Sequence, residues 1–75
     1  MTFILTLIMC SYTTATCLPP YQWPETFEDG YTCMIAGNKE SINKFIEMGA
    51  EEVNEHKIYI KFYCTENLKE ILHNG

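Results

Sequence analysis

Thr2 to Cys10 reads T-F-I-L-T-L-I-M-C, an apolar run interrupted only by threonine. β-Branched isoleucine and threonine suit a buried strand, and the run predicts one over 2–10. It is far too short to span a bilayer as a helix. A second strand is predicted over 57–64, where K-I-Y-I-K-F-Y-C alternates. Ile58, Ile60, Phe62 and Cys64 point one way there, and Tyr59, Lys61 and Tyr63 the other. Between these runs, Tyr31, Met34, Ile35, Ile42, Phe45, Ile46, Gly49 and Val53 recur three and four residues apart. That spacing predicts one amphipathic helix over 30–54, with Lys39, Glu40, Lys44, Glu47 and Glu51 on its other side.

The boundaries of these elements follow from local chemistry. Asp29 is placed to cap the helix by accepting from free backbone N–H groups, and Thr26 with Asp29 offers a competing capping box. Gly49 and Asn54 are the two candidate stops. Residues 11–28 hold Pro19, Pro20 and Pro24, which preclude a helix interior or a central strand, so an irregular loop is expected. Its aromatics Tyr21, Trp23 and Phe27 suggest that it folds back over apolar surface, with Trp23 in the core rather than serving as an exposed anchor. Thr65 would cap a short C-terminal helix over 66–73, with Leu68, Ile71 and Leu72 on one side.

A strand, a crossover helix and a second strand make a right-handed β-α-β unit with two parallel strands. The expected fold class is therefore α/β, with residues 1–75 forming a single small domain. One face of so small a sheet would carry Tyr59 and Tyr63 and would need a cover: the Pro-aromatic loop, the C-terminal helix or a second copy.

Chain length sharpens the question of stability. Seventy-five residues bury only ~60% of their unfolded surface, and such domains often recruit a disulfide, a metal or a partner. On the expected scaffold Cys10, Cys17, Cys33 and Cys64 converge at one end of the sheet. Three states are open: two disulfides, a four-thiolate zinc site, or four reduced thiols packed as small apolar groups. The spacings C-x6-C, C-x15-C and C-x30-C lack the C-x2-4-C knuckles of structural zinc sites. No C-x-x-C redox pair is present. Cys33 lies off the predicted apolar stripe, which favours pairing Cys17 with Cys33 and Cys10 with Cys64.

Charge narrows the function classes. Ten acidic residues stand against five lysines, with no arginine, giving a formal net charge of −5. Nucleic acid and anionic membranes both demand a basic face, so neither is an expected partner. His56 and His73 have no Cys-His-Asn or Ser-His-Asp arrangement around them, and catalysis is not expected. Glu51, Glu52 and Glu55 lack the pattern of a calcium loop and read as a solvated face. The glycines follow no phosphate-loop spacing; Gly37 reads as permitting close packing of the helix against loop or strand. No cofactor is expected.

The order of these features resembles small uncharacterised proteins of marine bacteriophages. The likeness rests on F-I-L-T-L-I-M-C, the six-residue gap to Cys17, L-P-P with Trp23-Pro24, D-G-Y-T-C-M-I-A-G, and the strand ending in Cys64. The outline L-x-x-C-x6-C and Phe-x5-Cys-x3-Gly is also similar, more loosely, to small proteins of some α-proteobacteria. The resemblance covers Thr2 to Cys64. It implies a phage or bacterial origin and carries no activity, ligand or functional residue. The expected function is thus a small non-catalytic accessory or interaction protein, whose partner is an unknown protein or a second copy. A thiol- or metal-binding module and a secreted disulfide-stabilised effector are the alternatives. The host cytoplasm is the expected location. A secreted or periplasmic one would follow if Met1–Thr16 were a signal peptide, which would lack the usual basic flank.

Overall fold

The computed structural model describes residues 2–67. Phe3–Ser11 forms the central strand β1, and everything else in the sheet pairs with it. The chain reverses at Tyr12–Ala15, with Ala15 at a left-handed φ of 56°, and returns as the two-residue strand β2, Thr16–Cys17. Tyr21–Phe27 then forms β3 antiparallel to β1, and Ile58–Glu66 forms β4 antiparallel to β1 on its other side. β2 and β3 lie end to end along one edge of β1: β2 opposes Cys10 and Ser11, and β3 opposes Phe3 to Leu7.

This overturns the two-stranded parallel β-α-β unit. The hairpin at Tyr12–Ala15 turns the supposed loop 11–28 into two strands, so the crossover starts from β3 and not from β1. β3 and β4 run parallel to each other with β1 between them, joined through the helices as a split β-α-β. Pro24 is accommodated because β3 is an edge strand and is bulged: the partners step from Ile4↔Thr26 to Thr6↔Gln22. Trp23, Pro24 and Glu25 therefore oppose Leu5 alone.

The crossover is two helices where one over 30–54 was expected. α1, Gly30–Met48, starts where Asp29 accepts from the Thr32 N–H at 2.7 Å. Gly49, at φ 88°, breaks the helix, and Ala50–His56 resumes as α2. Lys57 in the left-handed region ends α2 and turns the chain into β4. β4 extends through Glu66, where the expected C-terminal helix was to begin, and the Asn67 N–H that follows donates to the Thr2 carbonyl; positions 68–73 of that helix lie outside the described residues.

α1 packs mainly against β4 and β1. Registers such as Leu5↔Cys64 and Leu7↔Phe62 put Phe3, Leu5, Leu7 and Met9 on the helix side with Ile60, Phe62 and Cys64. Among the described residues only Leu5, Cys10 and Cys33 are fully buried apolar side chains. Two of these three are cysteines, which fits a domain too small to rely on its core.

Candidate interaction surface

All four cysteines are in disulfides, but not in the expected pairs. Cys10 bonds Cys17 and Cys33 bonds Cys64, in place of Cys17–Cys33 and Cys10–Cys64. The reason is strand direction. Cys10 and Cys17 face each other across the β1–β2 ladder with Cα atoms 4.0 Å apart. β4 runs antiparallel to β1, so Cys64 lies opposite Leu5 and away from Cys10. There it meets Cys33, one turn into α1 on the face turned to the sheet, with Cα atoms 6.1 Å apart. The four sulfurs do not converge, and among the described residues no group of three histidine, cysteine or acidic side chains gathers as a metal site would.

The orientation of α1 is the second departure. The face against the sheet is made of small residues: Gly30 beside Phe3, Cys33 joined to Cys64, and Gly37 against the Phe62 ring. Gly37 is buried, and a Cβ there would overlap Phe62, so its lack of a side chain lets the helix sit close. The apolar stripe expected to face the core is turned away instead. Tyr31 is 71% exposed, Ile42 56% and Ile46 73%, with Met34 and Ile35 about half exposed. An isoleucine left in water forgoes about 1.5–3 kcal/mol of burial. These side chains share one face of the helix, interrupted by the exposed Asn38 and Lys39, and exposed apolar groups gathered on one face are a candidate interaction surface. Small residues at 30, 33, 37 and 41 were the available signal, a second stripe with the same helical period.

Beside the small-residue face, α1 and β3 enclose an open groove of about 330 Å³. Leu7, Met9, Tyr21 and Trp23 line it, and Glu40 and Lys44 stand on its helix side. Trp23 is half-buried there, edge-on to Tyr21 with ring centroids 6.1 Å apart. Lys44 pairs with Glu47 at 3.7 Å. The flank of α1 carrying Glu40 and Lys44 therefore faces β3. Helical periodicity places Met34, Asn38 and Phe45 on the opposite flank, toward the outer side of β4.

The sheet face away from α1 carries Ile4, Thr6 and Ile8 with Tyr59, Lys61 and Tyr63. Tyr12, from the hairpin turn, stacks on Tyr59 with ring centroids 4.3 Å apart. His56 lies 3.9 Å from Glu52 within α2, and its backbone carbonyl accepts from the Ser11 hydroxyl at 2.6 Å, while His73 is outside the described residues. Asp29 has its carboxyl held below its ordinary value by the Thr32 backbone N–H it accepts from. No helix among the described residues is long and apolar enough to cross a membrane.

No protein-family model matches the chain, and neither a curated protein nor a solved structure matches it.

Proposed function

We propose that this chain is a small non-catalytic accessory protein, of phage or bacterial origin, that works by docking through the outer stripe of α1. The observation that carries the reading is the exposure of Tyr31, Ile42 and Ile46 on a helix fixed to the sheet by a disulfide and a glycine contact. A stripe of this length on a rigid helix is the arrangement by which one helix face engages an apolar surface on a partner. The lysines are few and no arginine is present, which weighs against nucleic acid as that partner. The test is a pair of exposed substitutions, Ile42→Glu and Ile46→Glu. Each should leave the fold intact by circular dichroism and abolish association with whatever the wild-type chain binds. Association unchanged by both substitutions would overturn the reading.

The two disulfides favour one further reading, that the protein works in an oxidising compartment as a disulfide-stabilised effector. In that case Phe3–Ser11 must be retained, because cleavage near Ala15 would remove the central strand. Intact mass after rapid thiol alkylation distinguishes the two locations: no alkylation supports the oxidising compartment, and four alkylated cysteines refute it.

A further inference from the structure

The two edges of the sheet are unlike. On one, β3 is bulged and carries Pro24, and β2 is two residues long, features that blunt an edge against further pairing. On the other, β4 offers nine residues without proline, bulge or register shift. The bonds at its two ends tell which backbone groups are free. The Tyr12 N–H donates to the Lys57 carbonyl at 3.1 Å, and the Asn67 N–H donates to the Thr2 carbonyl at 2.9 Å. Lys57 and Asn67 thus turn their backbone groups toward β1. Alternation along an antiparallel ladder then turns those of Ile58, Ile60, Phe62, Cys64 and Glu66 outward, and among the described residues nothing pairs with them.

We propose that this edge is a homodimer interface, in which β4 of a second copy pairs antiparallel about Phe62 and α1 packs beside its counterpart. The proposal goes beyond the docking role of the outer stripe of α1, since it uses the β4 edge and the adjoining flank of the helix and leaves Ile46 facing solvent. Three observations favour a second copy over an unrelated strand. First, β4 is self-complementary in this register: Ile58 falls opposite Glu66, Ile60 opposite Cys64, and Lys61 opposite Tyr63, so no like charges face each other and all five outward residues are paired. Second, the helix spacing fits. Strands lie ~4.8 Å apart, so a helix seated over the β1–β4 seam lies ~5 Å from the two-fold axis and the two helices ~10 Å apart, a packing distance. Third, the flank of α1 turned toward that axis carries Met34 and Phe45, with Asn38 between them bonded to the Met34 carbonyl, and adjoins the exposed Tyr31 and Ile42. The register has one cost: the two Lys61 ammonium groups lie diagonal to each other on the opposite sheet face.

Light scattering on the oxidised chain should give twice its mass of 8.7 kDa at micromolar concentration. The amides of Ile60, Phe62 and Cys64 should exchange with solvent on the order of a hundredfold more slowly than in a dissociated variant. Met34→Glu with Ile42→Glu should weaken the dimer at least about tenfold without lowering helix content. Lys61→Thr, which removes the diagonal repulsion, should tighten it. A monomer at every concentration overturns the proposal, as does a dimer whose Ile60, Phe62 and Cys64 amides exchange freely. Protection of those amides in a monomer overturns it too, since the edge is then covered within one chain. A monomer that binds another protein through Ile42 and Ile46 overturns the dimer alone and leaves the docking role standing; a dimer with those amides protected and unaffected by Ile46→Glu upholds the dimer even where the docking role of the outer stripe fails.

Discussion

A Cβ placed on Gly37 would overlap the Phe62 ring, so Gly37→Ala must either lift α1 from β4 or turn Phe62 out of its position. Alanine gains up to about 1 kcal/mol as a helix former. Overpacking a tight contact costs about 1–3 kcal/mol, and here the obstacle is a ring held between helix and sheet. Gly37→Ala is therefore expected to lower the urea midpoint at unchanged slope, and Phe62→Leu in the same chain to recover part of the loss. A Gly37→Ala protein as stable as the parent would mean that α1 does not sit at this distance. Asp29 acts at the same scale through charge. Its folded carboxyl titrates below its ordinary 3.8, held there by the Thr32 N–H. The capping contribution is present above that ordinary value and is lost as pH falls through the lower folded one. Asp29→Ala should thus melt earlier than the parent at neutral pH, with the gap closing below about pH 4, while Asp29→Asn keeps the cap. Thermal melts of the three proteins across that range check the sign. Asp29 and Gly37 were both legible in the sequence, because a cap and a close approach are local demands on residue type. The cysteine pairing was not. It depends on whether β4 runs with β1 or against it, and nothing near Cys10 or Cys64 encodes that direction.

The helix shows how an element can be legible in kind and hidden in orientation. The three- and four-residue spacing of Tyr31, Met34, Ile35, Ile42 and Ile46 identified α1, yet that stripe is exposed and a stripe of small residues is buried. Periodicity reports a face; it does not say whether the sheet or another surface covers it. The strands divide the same way. β1 and β4 were visible as apolar and alternating runs, whereas β3 was hidden by Pro24, which only an edge position and a bulge accommodate. The disulfides then fix how these elements sit. In the chain-entropy account the stabilisation grows with the loop closed. Cys33–Cys64 spans 31 residues and ties α1 to β4, while Cys10–Cys17 spans 7 within a hairpin. Removing Cys33–Cys64 should cost about 3.5 kcal/mol, and removing Cys10–Cys17 about 2.5 kcal/mol. Double alanine variants of each pair, compared by denaturant unfolding, test that order. Equal losses would mean that the hairpin closure carries more than its loop length implies.

At the level of the whole molecule, β1 is the one strand among the described residues that pairs with each of the others, and Leu5 at its middle is fully buried. Leu5 faces the helix, lies opposite Cys64 on one side, and on the other is spanned by the Trp23–Glu25 bulge. No second core exists among the described residues to hold β3 or the helices once β1 is loosened. Unfolding should therefore be one cooperative event, although β3 is joined to the sheet only along its inner edge. Trp23 fluorescence reports β3 and the groove, and far-ultraviolet circular dichroism reports α1 and α2, so the two signals should lose structure at the same urea concentration. Leu5→Ala removes buried methyl groups from the one position shared by all three contacts, at an expected cost of about 2–5 kcal/mol. Both signals should shift together by that amount, with the disulfides intact. If Trp23 instead responds at lower denaturant than the helices, β3 is a separate and weaker unit. The groove it lines would then open while α1 stays fixed to β4 by the Cys33–Cys64 bond.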